Sequence, residues 1–161
     1  PDVSDEALLA RAEEWLDLDA LAAGRGSDAA SGLRGLLGWQ ESARLDEVAP
    51  ETITVPSGSR IRVDYPEPGS DTSPVLAVKL QECFGWTDGP TVCDGRVRVV
   101  LHLLSPARRP LAVTDDLASF WASVYPAVRV ENRGRYSKHP WPEDPMTATP
   151  TKRTNRALRG N

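Results

Sequence analysis

The spacing of apolar residues changes once along this chain, at Pro50, and that change limits what the chain can fold into. Before Pro50 the apolar side chains recur at helical intervals. Ser4 is a helix cap ahead of Asp5 and Glu6, whose charges suit a helix N-terminus. Leu8, Leu9, Ala12, Trp15 and Leu16 follow on one stripe that fades near Ala23, and Gly24 to Ser31 reads as a loop. Leu33, Leu36 and Leu37 begin a second stripe, weakened by Gly32, Gly35 and Gly38. Trp39 to Val48 is a more convincing helix, and Pro50 ends it.

Beyond Pro50 the period becomes two. Ile53 and Val55 alternate with Thr52 and Thr54, Pro56-Ser57-Gly58 turns the chain, and Ile61 and Val63 alternate with Arg60, Arg62 and Asp64. This is a β-hairpin pattern. Ser73-Pro74 reads as the start of a helix through Val78, Leu80 and Gln81 to Phe84, closed by Gly85, with a strand over Val75 to Leu80 as the second reading. Arg96 to Leu104 is the strongest strand, and Leu111 to Val113 a short one. Thr114 or Asp115 caps a helix carrying Leu117, Phe120, Trp121 and Val124, which Pro126 breaks or kinks. The prolines at 140, 142, 145 and 150 forbid regular helix, and a frayed basic end follows.

The expected fold class is therefore α+β. It has N-terminal helices over 1–50, a small antiparallel sheet with a packed helix over 51–145, and a Pro-rich C-terminal segment leading into a basic flexible tail over 146–161. A chain of 161 residues with 40% apolar content can bury a core without staples. Its opening on Pro1 without a Met or a basic, apolar leader is expected of a piece of a longer protein. No apolar run approaches the ~20 residues that cross a bilayer, so no membrane partner is expected. Cys83 and Cys93 match no redox or zinc spacing and read as reduced thiols of a cytoplasmic protein.

Catalytic signatures are missing. There is no phosphate loop, GxGxxG turn, GxSxG elbow or HExxH helix. His102 falls in a predicted core strand and reads as a satisfied buried histidine; Asp115-Asp116 reads as a helix start. No catalytic, cofactor or metal residue is therefore assigned.

Charge supplies the positive signal. The net charge of −4 hides an asymmetry: nine basic residues against eighteen acidic up to Leu104, then ten against five. From Phe120 to Pro145 aromatic and basic residues interleave, a mixture suited to nucleic acid because cations meet phosphate and aromatic faces stack on bases. Candidate contacts are Arg129, Arg133, Arg135, Lys138, His139 and Trp141, with Arg108 and Arg109 beside them. Arg60 and Arg62 share one face of their strand, as do Arg96 and Arg98; side by side, these strands would line one sheet face with four arginines. The competing reading makes Trp121 and Tyr125 core and lets Trp141 pin the chain end.

The run LHLLSPARRPLAVTDDLASFW, Leu101 to Trp121, continues through Tyr125-Pro126 and Arg129 to GRYSKHPWPEDP, Gly134 to Pro145. It resembles the C-terminal region of the bacterial HrpB family of DEAH-box ATP-dependent helicases. LDEVAP (Leu45 to Pro50), TVPSGSRIRVDYP (Thr54 to Pro66), PVLAVKLQECFG (Pro74 to Gly85) and the helices with Trp15 and Trp39 fit the same order. Val130-Glu131-Asn132 departs from a more uniformly charged helix. The resemblance implies a parent helicase that uses ATP and Mg in a motor lying outside this sequence. It also implies an accessory role here, with single-stranded RNA or DNA and the motor domains of the same chain as partners. By analogy the sheet is expected to be oligonucleotide-binding-like. The alternative is a protein-interaction or scaffold domain without nucleic-acid contact.

Overall fold

The computed structural model describes residues 2–26 and 28–160. The chain forms two compact units that divide between Val48 and Ala49.

The first unit is helical: α1 (Asp5–Ala10), α2 (Ala12–Trp15), α3 (Leu18–Ala22), α4 (Ala29–Gly35) and α5 (Trp39–Val48). Ser4 caps α1 as its position suggested, its hydroxyl accepting from the Ala7 amide. The expected single helix to Ala23 is three short ones, and the third restarts at Leu18, where the Asp17 carboxylate accepts from the Ala20 amide. The expected loop to Ser31 is shorter, since Asp28 caps α4 at Ala29. Gly32 sits where α4 crosses α2: a Cβ there would fall on the Trp15 carbonyl oxygen. Only Ala20 is buried among this unit's described residues, and Trp39 is 84% exposed.

The second unit contains a five-stranded sheet of β1 (Thr52–Thr54), β2 (Arg60–Asp64), β3 (Val75–Lys79), β6 (Val100–Leu104) and β7 (Pro110–Thr114), in that spatial order. A separate ribbon joins β4 (Thr91–Val92) to β5 (Val97–Arg98). The hairpin pairs Thr54 with Arg60 and Thr52 with Arg62. The sheet is antiparallel except for β3 and β6, which run parallel with Leu76 opposite Leu101 and Val78 opposite Leu103. Strand order ends at β1 and β7, so the sheet is open.

Two predicted elements change type or extent. Residues 75–79 are a strand followed by a 3-10 turn (Leu80–Cys83), not the helix of the first reading; the second reading, a strand over Val75 to Leu80, is the one that forms, ending at Lys79. Leu76 and Val78 face the core while Ala77 is exposed, an alternation that only a strand produces; pairing with β6 outweighs the Ser-Pro start signal. The strand expected over Arg96–Leu104 is broken at Val99. Cys93, Asp94 and Gly95 all take positive φ (54°, 58°, 78°), and this left-handed turn folds β5 back on β4 instead of into the main sheet.

Three helical pieces follow in succession: α6 (Leu117–Ser119), a π-turn (Phe120–Val124) and α7 (Tyr125–Asn132). The cap is Asp116, whose carboxylate accepts from the Ser119 amide. Pro126 has no N–H to offer Ala122, and immediately before it the Tyr125 amide bonds to Phe120 O, five residues back. This helix supplies Phe120, Trp121, Tyr125 and Val128 to a core completed by Phe84, Leu76, Val78, Leu101, Leu103 and Trp141. Trp121 and Tyr125 meet edge to face at 5.3 Å. His102 is half-buried, on the face opposite Leu101 and Leu103.

The expected flexible tail is tied down at several points. Thr151 is buried and its amide donates to Gln81 O at 2.9 Å. Thr154 caps α8 (Asn155–Arg159), and the Asn155 amide donates to Lys138 O at 2.8 Å. No helix among the described residues is long and apolar enough to cross a membrane.

Candidate nucleic-acid interface

The interleaved aromatic segment turns inward. Trp121 donates from Nε1 to Trp86 O at 2.7 Å, and Trp141 from Nε1 to Tyr136 O at 3.2 Å. Tyr125, 1% exposed, donates its hydroxyl to Pro142 O at 2.7 Å. Burial pushes the Tyr125 phenol up to about 12, against the opposing pull of Arg129. Arg129 is also occupied: Nε donates to Trp141 O at 2.8 Å and Nη2 lies 3.5 Å from Glu143 Oε1. With ring nitrogens satisfied and faces buried, these aromatics offer no platform to a base. They hold the proline-rich segment against α7.

The exposed cations gather elsewhere. Alternation along β2 and β3 gives the sheet a core face, with Ile61, Val63, Leu76 and Val78, and an outer face, with Arg60, Arg62, Ala77 and Lys79. On this outer face a cleft of about 340 Å³ is lined by Arg60, Arg62, Lys79, Arg108, Leu104 and Glu82, among others. Arg60 is steadied by Thr52 Oγ1 at 2.9 Å. The side chains of Arg62, Lys79 and Arg108 have no carboxylate partner among the described residues.

Arg108 is held in an unusual conformation, with φ at 61°. The turn around it is fixed by Ser105, fully buried, whose amide donates to Arg109 O and whose hydroxyl accepts from the Arg109 amide. Left-handed φ favours glycine, so an arginine at this position carries some strain.

The other sequence candidates do not line this cleft. Arg96 and Arg98 are on the separate ribbon, so the four-arginine sheet face does not form. Arg96 bonds to Cys93 O and pairs with Asp94 at 3.9 Å; Arg98 reaches Asp115 O at 3.5 Å. Arg109, Arg133 and Arg135 are exposed. His139 is partly buried, with Nδ1 unpartnered among the described residues; burial, then the charge of Lys79, holds its imidazole below the usual value. Lys138 lines a second cleft of about 500 Å³ with Arg156 and Arg159.

Lys79 and Glu82 are not among the sequence candidates, because a helix over 74–84 does not set Lys79 beside the β2 arginines. A strand there puts Lys79 on the arginine face. No three His, Cys, Asp or Glu side chains among the described residues are placed to hold a metal. Burial pushes the Cys83 thiol up, with Glu82 adding to the effect, so it is not a nucleophile.

A family model described as ATP-dependent helicase C-terminal matches residues 12–145. The chain belongs to this helicase C-terminal family. Over 97% of its length it is 47% identical to the ATP-dependent RNA helicase HrpB of Escherichia coli strain K12, of which it covers 20%. Two solved structures share the fold. The crystal structure of the E. coli DExH-box NTPase HrpB matches at 48% identity with a TM-score of 0.83, over 96% of this chain and 19% of that one. A crystal structure of the Escherichia coli DEAH/RHA helicase HrpB matches at 44% identity with a TM-score of 0.65, over 88% and 18%. The helicase C-terminal chain thus spans about a fifth of the relatives it matches.

Proposed function

We propose that this chain is an accessory C-terminal domain of an ATP-dependent helicase that holds single-stranded nucleic acid by its phosphate backbone. The carrying observation is the convergence of Arg60, Arg62, Lys79 and Arg108 on one cleft of the sheet, three of them without a carboxylate partner among the described residues. Cations neutralise phosphate without reading sequence. Lys138, with Arg156 and Arg159, forms a second positive area, and Arg96, Arg98, Arg109, Arg133, Arg135 and His139 are peripheral contacts in this reading. Trp141 and Arg129 serve it indirectly, by fixing the segment that carries Lys138. ATP and Mg act in the motor of the parent, a cytoplasmic protein. The curated relative's name makes RNA the first ligand to test.

The test is oligonucleotide binding by this chain over a range of salt. For single strands the logarithm of affinity falls by roughly 0.7 per neutralised phosphate for each tenfold rise in salt. Steep dependence is expected, shallower in R62A and R108A. No binding at low salt would sink the reading for this chain.

A second reading, docking on the motor or another protein, has its own observation. An apolar groove on α5 is lined by Leu37, Leu45 and Val48, in a unit that buries almost none of its apolar residues. Capture of the motor domains by this chain, surviving nuclease and lost in L45E, is the expected outcome.

A further inference from the structure

We infer that Glu82 reads the ribose 2′-hydroxyl of an RNA strand lying in the Arg60–Arg62–Lys79–Arg108 cleft. The inference rests on the nucleic-acid reading above and adds the sugar. Glu82 lines this cleft and is 5% exposed. Its carboxylate is held in place: Oε1 accepts from Ser57 Oγ at 2.8 Å, and its main-chain oxygen accepts from the Ser57 amide at 3.2 Å. Oε2 has no hydrogen-bond partner among the described residues, and none of the cleft's cations forms an ion pair with it.

A carboxylate that shares a cleft with four cations can pair with one of them or accept from neutral donors. Here it pairs with none; Ser57 supplies one neutral donor, to Oε1, and Oε2 is left to accept another. Facing a phosphate with no donor between, it would repel the ligand that the cations attract. On a nucleic-acid backbone the neutral donor next to each phosphate is the ribose 2′-hydroxyl, which RNA has and DNA lacks. Oε2, on a carboxylate that Ser57 steadies through Oε1, is the acceptor left for that donor, and the hydrogen bond would be charge-assisted. The same carboxylate penalises DNA, whose phosphates bring the repulsion without the hydroxyl. Selectivity then comes from a cost imposed on the wrong ligand as much as from a contact with the right one.

The experiment is fluorescence anisotropy on the 161-residue chain with one labelled sequence made as RNA, DNA and 2′-fluoro RNA. RNA is expected to bind about ten- to hundredfold more tightly than the other two, the range of one hydrogen bond to a charged group. The 2′-fluoro strand keeps the RNA sugar pucker but has no hydroxyl proton, so it separates donation from sugar shape. E82Q is expected to bind DNA more tightly than the unsubstituted chain, because a repelling charge is gone, while its RNA-over-DNA ratio falls toward one. K79A should weaken both ligands and leave the ratio unchanged. Equal affinity for RNA and 2′-fluoro RNA overturns the inference and leaves the nucleic-acid reading standing, as does an unchanged ratio in E82Q. Binding of none of the three at low salt overturns both. The 2′-fluoro comparison needs no variant, so the test holds even where E82Q fails to fold.

Discussion

Arg129 donates from Nε to the main-chain oxygen of Trp141 at 2.8 Å, tying α7 to the proline-rich segment that follows it. Both residues looked like nucleic-acid contacts by composition; together they form an internal brace. R129A leaves the Trp141 carbonyl without its charged donor, and a loss of about 2 kcal/mol in unfolding free energy is expected. Urea denaturation measures it. Oligonucleotide affinity under conditions where the variant is folded should change less than twofold; a large loss of binding with unchanged stability would contradict the bracing role.

Arg108 separates folding from binding. At φ 61° a glycine is less strained than an arginine, though glycine also loses more entropy on folding. R108G is therefore expected to melt within a degree or two of the parent chain, or above it, while oligonucleotide binding weakens and its salt dependence becomes shallower. Calorimetry and a salt titration test the two halves. A sharp fall in melting temperature would show the side chain to be structural.

Tyr125 makes the fold sensitive to strong base. Its phenol is raised from 10.0 to about 12 by burial, so the unfolded chain releases this proton first. The associated stability is fully present below pH 10 and is lost as pH rises from 10 toward 12, with a slope of at most about 1.4 kcal/mol per pH unit. Y125F should remove this part of the alkaline dependence, and should cost about 1 kcal/mol at neutral pH through the lost bond to Pro142 O. Denaturation at pH 8 and pH 11 compares the two.

Gly32 allows α4 to cross α2 at the Trp15 carbonyl. Backbone cannot yield as a flexible side-chain tip does, so G32A must force the two helices apart, even though alanine is the better helix former. Faster amide exchange in α2 and α4 is expected, with the strands of the second unit unchanged. Retained protection in both helices would contradict the close crossing.

Local chemistry was legible wherever it acted over a few residues. Ser4 as a cap, the β1–β2 hairpin and the α5 helix ending before Pro50 follow from spacing and turn residues, which operate within one or two turns of chain. The family was legible for the same reason: its strings are contiguous. Val75 to Lys79 was not, because Ser73-Pro74 argues locally for a helix and the deciding partner, β6, begins more than twenty residues later. The break at Val99 was hidden as well, since an apolar run does not say that Cys93, Asp94 and Gly95 will turn left-handed and draw β5 away.

The candidate site divides along the same line. Composition alone determined that the C-terminal third is basic and rich in aromatics, and the alternating pattern that Arg60 and Arg62 share a strand face. Only the tertiary structure decided which of those cations meet. Trp121, Tyr125, Arg129 and Trp141 turned inward because their polar atoms found main-chain carbonyls across the core. Arg60, Arg62, Lys79 and Arg108, spread over nearly fifty residues of chain, came to one cleft because the sheet set β2 beside β3 and β3 beside β6. Residue type limits what a side chain can do; pairing of distant strands decides its neighbours, and the neighbours decide whether it braces the fold or faces a ligand.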